Sequence, residues 1–209
     1  MMVQTRTRQP LRALAVAMAS AAMVTTMSAG AHAATDYTPT GGPSLNLVGT
    51  NVRVHFEEIN QSFTCSRFDV AGQVTMPGVA REFGGEAVDL GALTDTCTNP
   101  LYGLSNFTAE PTWRTTVTGP SNGTSWPVRL DEVEMGFTAV NCVVEFEGTI
   151  DGAFDTATQR FTPGTSALIV TYWSGSWCVT LDFQVGDHAV LQGELTNVPP
   201  AGSSPLTLS

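Results

Sequence analysis

The sequence predicts an exported all-β domain: an antiparallel β-sandwich or barrel of roughly ten short strands, held by two disulfides and preceded by a cleaved signal peptide. Three observations carry that expectation. Apolar residues recur with a period of two over most of the chain beyond residue 45, and no amphipathic helix of ten or more residues interrupts them. Turn chemistry punctuates the pattern at short intervals, drawing on 20 glycines and 12 prolines. All four cysteines follow a segment with the make-up of an export signal.

That segment spans residues 1–33. It has a basic start with Arg6, Arg8 and Arg12, an apolar stretch from about Ala13 to Met27, and a small-residue end, Ala31-His32-Ala33. The stretch is Ala-rich, interrupted by Ser20, Thr25 and Thr26, and short of the roughly 20 strongly apolar residues of a spanning helix, so cleavage after Ala33 is expected. The expected organisation is a flexible leader over 34–44, a β domain over 45–199 and a flexible tail over 200–209. A secreted, extracellular protein follows, with no membrane insertion.

Within the domain, Val48, Val52, Val54 and Phe56 alternate with Asn51, Arg53, His55 and Glu57, the signature of a half-buried strand. A second strand carries Phe68, Val70 and Val74 and stops at Met76-Pro77-Gly78; a third runs from about Glu86 to Leu93. The middle, from Thr96 to Ser125, is looser, with one clear strand around Thr112 to Thr118. Asn122-Gly123 then signals a hairpin into Trp126–Leu130. The apolar parity shifts after Leu130, from Trp126, Val128 and Leu130 to Val133, Met135 and Phe137, which places a bulge near Asp131-Glu132.

The second half is more regular. Val140, Cys142, Val144, Phe146 and Ile150 share a face, opposite Asn141, Glu145, Glu147, Thr149 and Asp151. Hairpins are expected at residues 155–158, at Ser174-Gly175 and at Gly186-Asp187, joining strands near 159–162, 166–173, 177–185 and 189–198. In the third of these strands Cys178 falls opposite Trp177, Val179, Leu181 and Phe183, so its bridge requires a bulge or a sheet margin.

Cys65, Cys97, Cys142 and Cys178 form an even set in an oxidising compartment, which favours two disulfides. Of three connectivities, the sequential one, Cys65 with Cys97 and Cys142 with Cys178, is preferred because its loops are similar and each staples a local set of strands. No C-x-x-C occurs, and the histidines beyond the export signal, His55 and His188, lie at unrelated spacings, so neither a zinc site nor a cofactor is expected.

Charge excludes further classes. Beyond residue 33 the chain holds six arginines, no lysine and 19 acids, a formal net charge of −13. Such a surface repels phosphate, so no nucleic-acid partner is expected.

The order Phe63-Thr64-Cys65, Thr94-Asp95-Thr96-Cys97, Asn141-Cys142 with Gly148-Thr149-Ile150-Asp151-Gly152, Trp177-Cys178 and Gly193-Glu194-Leu195 closing at Pro199 resembles small secreted actinobacterial β proteins with two cysteine pairs. The resemblance spans about residues 50–199. It implies secretion, two bridges and β structure, and carries over no catalytic residue, since that family has no established activity. In acidity and cysteine number the chain is also similar to two-disulfide, chromophore-carrying β-sandwiches.

Among candidate chemistries, nucleophilic catalysis has only His55 and His188 as bases, both read as surface residues, and no G-x-S-x-G elbow. Glu145 and Glu147 share a strand face about 7 Å apart at roughly 3.3 Å per residue, with Glu132, Glu134, Asp151 and Asp155 close by in sequence, a pattern open to glycoside hydrolysis. Asp151 and Asp155 sit in a turn that lacks the calcium-loop pattern, and turn chemistry is the preferred reading. The strongest lead is aromatic. Tyr172, Trp173 and Trp177 gather three rings around Ser174-Gly175-Ser176, a candidate ligand face for a carbohydrate or a small aromatic molecule; the alternative is that the tryptophans fill the core. The sequence reading is therefore a secreted, non-catalytic binding or structural domain with an extracellular ligand; the alternative is a secreted hydrolase that acts on glycans through such carboxylates.

Overall fold

The computed structural model describes residues 35–92, 95–101, 103–109 and 113–209. The expected signal peptide at 1–33 and its cleavage point lie outside the described residues. The first strands are β1 (Asp36–Tyr37), β2 (Pro39–Gly42), β3 (Ser44–Gly49), β4 (Val52–Phe56), β5 (Gln61–Cys65) and β6 (Phe68–Val74). Next come β7 (Arg81–Glu82), β8 (Glu86–Ala92), β9 (Asp95–Asn99), β10 (Gly103–Ala109) and β11 (Trp113–Val117). Three long strands follow, β12 (Ser125–Ala139), β13 (Cys142–Asp155) and β14 (Arg160–Ser174), then the helix α1 (Ser176–Thr180), β15 (His188–Gln192), β16 (Leu195–Asn197) and β17 (Ser204–Leu208). The chain is all-β, its strand pairs are antiparallel, and its disulfides join Cys65 to Cys97 and Cys142 to Cys178. The sequential pairing is thus the observed one, and Cys65 and Cys97 are direct register partners on β5 and β9.

The main sheet closes on itself twice. Barrel I runs β3, β6, β8, β11, β12, β13, β14, β16 and back to β3; barrel II runs β4, β5, β9, β10, β12, β13, β14, β15 and back to β4. Closure removes open sheet edges, and the length of the three shared strands makes it attainable twice. On β12, residues 128–131 pair with β11 in barrel I, while residues 135–138 pair with β10 in barrel II. The handover falls at a register shift between Leu130 and Val133, where Glu132 adopts φ 55°. This is the bulge that the apolar parity places at Asp131-Glu132.

Barrel II is filled by phenylalanines. Phe56, Phe63, Phe107, Phe137, Phe146 and Phe183 are all buried, with Phe56 packed edge-on to Phe146 at 5.3 Å and to Phe183 at 5.1 Å. Barrel I is lined by aliphatic residues with Phe154 and Phe161, and its outer end is covered by β2 and β17, which pair with each other outside both rings.

Several elements differ from the sequence reading. The strand expected over 48–56 is two strands, β3 and β4, separated by a turn at Thr50-Asn51 with Asn51 at φ 58°. The turn moves the inward set from Leu45 and Leu47 to Val52, Val54 and Phe56, and the two halves enter different barrels. The loose middle contains β9 and β10, and the two strands expected over 159–173 are one, β14, with a register shift that absorbs Pro163-Gly164. Residues 189–198 hold two strands, β15 and β16. In all, 17 strands are described where roughly ten are expected: three lie in the segments read as leader and tail, two in the loose middle, and single expected strands divide at turns. Val140, expected on the inward face of β13, instead sits in the turn between β12 and β13 at φ 47° and is exposed. Segments 34–44 and 200–209, read as leader and tail, carry β1, β2 and β17, with Tyr37 buried and its hydroxyl donating to the Gly85 carbonyl.

The largest departure is 177–185. Alternation suggests a strand, but the segment is α1 followed by a turn, with Cys178 and Phe183 buried and Trp177 and Val179 exposed. A helical turn replaces the period of two here, so Cys178 faces inward to its bridge with Cys142 while Trp177 and Val179 face out, and Phe183 beyond the helix stays inward. Gly175, at φ 106°, admits no side chain: a Cβ there would lie 2.1 Å from the Asn141 carbonyl oxygen. The expected Ser174-Gly175 hairpin is therefore the entry to the helix, and Phe183 fills the barrel below it.

Candidate functional site

The strand register of β12 and β13 assembles an acidic cleft on the outer face of barrel II. Glu134 lies opposite Glu147, and Gly136 lies opposite Glu145. All three glutamates are exposed while Met135, Val144 and Phe146 between them point inward, as a period of two dictates. Gly136 leaves a depression: a Cβ built there would stand 3.2 Å from the Val144 carbonyl oxygen and 3.5 Å from Thr108 Oγ1. The resulting cleft, about 260 Å³, is lined by Glu134, Glu145, Glu147, Thr108 and Thr171 around Gly136. A second depression shares Glu134 and Glu147 and continues to Glu132 and Thr149, over the β12 bulge.

Two of the three candidate aromatics, Tyr172 and Trp177, are exposed. Tyr172 is the register partner of Glu145 and is 48% exposed, so its ring stands on the same outer face. Thr171, the residue added by the register shift between Glu145 and Phe146, donates its hydroxyl to the Glu145 carbonyl at 3.4 Å. Trp173 is partly buried and packs against the core, opposite Val144. Trp177, the second residue of α1, is 42% exposed, and its backbone N–H donates to the Asn141 carbonyl at 3.2 Å. Trp113 and Trp126 belong to the core, and the Trp113 indole N–H donates to the Glu134 carbonyl at 3.2 Å, which ties β11 to the strand that carries the cleft.

The remaining candidates are held by local partners. Asp151 pairs with Arg129 at 2.7 Å. The Asp155 carboxylate accepts the backbone N–H groups of Thr158 and Ala157 and the Thr124 hydroxyl, bonds that hold its pKa below the usual carboxylate value. Among the described residues no three His, Cys, Asp or Glu side chains are arranged to hold a metal ion.

His55 Nδ1 lies 2.9 Å from Ser62 Oγ, its register partner on β5, and Arg53 donates to the same hydroxyl. Sequence reading missed this cluster because the β4 to β5 hairpin that juxtaposes it was not resolved from pattern. It is a cross-strand staple: Arg53 and Ser62 are exposed and half-buried on an outer sheet face, outside the cleft. His188 pairs with Glu58; the hydrogen bond its ring N–H donates to that carboxylate, then the carboxylate's charge, raise the His188 pKa. For Glu58 burial acts upward, but the bonds to His188 outweigh it and its pKa is lowered.

The chain matches no family model, no curated protein and no solved structure. Its own geometry therefore carries the functional argument.

Proposed function

We propose that this is a secreted, non-catalytic binding domain whose ligand is a neutral glycan held on the outer face of β12, β13 and β14. The observation that carries the reading is the juxtaposition of the exposed Tyr172 ring with an acceptor-lined cleft, through its register pairing with Glu145. A ring face packs against the apolar side of a sugar, and carboxylate and hydroxyl oxygens at its border satisfy sugar hydroxyls.

Hydrolysis through Glu145 and Glu147 is the competing reading, since the cleft brings both carboxylates together with Glu134. A glycosidase keeps one of its carboxylic acids protonated in an apolar enclosure, whereas these three glutamates stand on an open outer face.

The test is calorimetric titration of the secreted protein against a panel of neutral polysaccharides, with reducing-end release followed in parallel. Binding without release, weakened about two- to tenfold in Tyr172→Ala, is the expected outcome, because a stacked ring contributes on the order of 0.5–1.5 kcal/mol. Reducing ends that appear with the parent and vanish with Glu147→Gln would establish the hydrolase instead. Absence of binding across the panel refutes the glycan reading. Mass spectrometry of protein recovered from the culture medium tests export; the expected chain begins at Ala34.

A further inference from the structure

The outer end of barrel I is closed by a strand that takes no part in the barrel wall. β17 pairs only with β2, in a two-stranded sheet with a register shift between Ser204 and Thr207. Yet Leu206 and Leu208 are 5% and 8% exposed, because both side chains point into the barrel mouth and line a cavity of about 30 Å³. The rest of the lining is apolar apart from Thr115, and includes Leu45, Val117, Leu130, Phe154 and Phe161. The cavity carries no charged side chain.

We propose that barrel I is a binding site for a small uncharged apolar molecule, and that β17 is a displaceable plug whose Leu206 and Leu208 occupy the ligand's place. The hydrogen bonds that form the barrel wall run through β3, β6, β8, β11, β12, β13, β14 and β16, so β17 can leave with the wall intact. What holds it is a latch at the mouth. The Gln159 side-chain amide donates to the Leu206 carbonyl at 2.7 Å, and Gln159 Oε1 accepts the Leu206 N–H at 2.9 Å. Asn197 orients that amide from β16 by donating to the same oxygen at 2.8 Å. Beyond the latch, Thr38 and Ser209 exchange backbone hydrogen bonds at 2.7 and 3.2 Å.

Size and chemistry define the ligand. An apolar void of about 150 Å³ lined by Leu, Ile and Phe stays dry and binds benzene, and an eight-stranded barrel has room for side chains or one small ligand. Withdrawal of two leucine side chains from the mouth makes a chamber of that order. A single aromatic or short aliphatic molecule suits it; a charged or heavily hydroxylated one does not.

The experiment compares the full chain with a variant truncated after Ser203, using benzene itself as the probe in isothermal titration calorimetry. A ligand that meets a plugged site binds only the open fraction, so the truncated variant should bind benzene on the order of 100-fold tighter. Gln159→Ala in the full chain should fall between the two. Tyr172→Ala should leave benzene binding unchanged, which separates this site from the proposed glycan face. Equal affinity of the full and truncated chains, with matching circular dichroism and both disulfides intact, overturns the proposal. Should the truncated chain fail to fold, an unchanged affinity in Gln159→Ala overturns it as well.

Discussion

Phe183→Ala tests the most consequential local assignment, the conversion of an alternating segment into a helix and a barrel plug. Phe183 is fully buried and packs edge-on to Phe56 at 5.1 Å, with Phe137 tilted at 5.7 Å. Truncation of a buried phenylalanine costs about 3–5 kcal/mol, and the edge-on partner places this site in the upper half of that range. For a domain of this size each kcal/mol lowers Tm by about 2–4 °C, so a fall of about 10–15 °C is expected. The assay is thermal unfolding followed by circular dichroism at neutral pH with both disulfides intact. Val179→Ala is the internal control: Val179 is 63% exposed on α1, and its loss should stay within about 0.5 kcal/mol. If the segment were a strand, Trp177, Val179, Leu181 and Phe183 would share one buried face and both substitutions would be costly. A Phe183→Ala midpoint within about 3 °C of the parent, or a Val179→Ala loss of similar size to that of Phe183→Ala, refutes the plug.

Cys142→Ser should free one titratable thiol at Cys178 and, for the 36-residue separation, remove about 4 kcal/mol by loop entropy; peptide mapping of the labelled thiol to Cys65 or Cys97 would contradict the pairing. His188 should titrate above its ordinary 6.5 and fall back toward it in Glu58→Gln, as read by proton NMR of the imidazole. The sign follows from linkage: the raised His188 pKa makes its contribution fully present below about pH 6.5 and lost as pH rises through the raised value, while the lowered Glu58 pKa makes its contribution present above about 4.5 and lost as pH falls through the lowered one. Gly148→Ala should destabilise the chain by at least about 2 kcal/mol in urea unfolding, because its Cβ would meet the Ala167 carbonyl oxygen at 2.0 Å with φ at +149°. An unchanged urea midpoint would show that β13 and β14 separate there at little cost.

Much of the local structure is legible because it depends on neighbours in sequence. The inward face of β13, the Asn122-Gly123 turn and the bulge at Asp131-Glu132 each leave a mark within a few residues, as a period, a dipeptide or a change of parity. The acid pair Glu145 and Glu147 is legible for the same reason. Gly136, Glu134 and Thr108, which turn that pair into a cleft, come from β12 and β10 and meet it only through cross-strand register. Register between distant strands is set by closure of the whole sheet, and no window of ten residues contains it. The same limit applies to 177–185: its alternation is genuine, but the segment is helical and its inward Cys178 meets Cys142 from 36 residues away, a contact no local window contains.

The position of the cleft follows from the double-barrel topology. The three long strands pass from one interior to the other in two ways. β13 keeps a single inward parity, Cys142, Val144, Phe146, Ile150 and Phe154, whereas β12 changes from Val128 and Leu130 to Val133 and Met135, and β14 from Phe161 to Leu168 and Val170, each across a register shift that places the extra residue on that strand. A bulge bends its strand and re-aims the neighbouring side chains, so the outer surface over the junction cannot remain a flat ladder. Glu132, Glu134 and Glu147 line one depression there, and Glu134, Glu145 and Glu147 the adjoining one. The depression over Glu132 and Thr149 is thus the outside of the seam, and the cleft beside it runs from the seam onto the barrel II wall at Gly136 and Thr108. Both are built on paired strands rather than on loops, so ladder hydrogen bonds fix the spacing of their carboxylates, which suits recognition of a preferred shape.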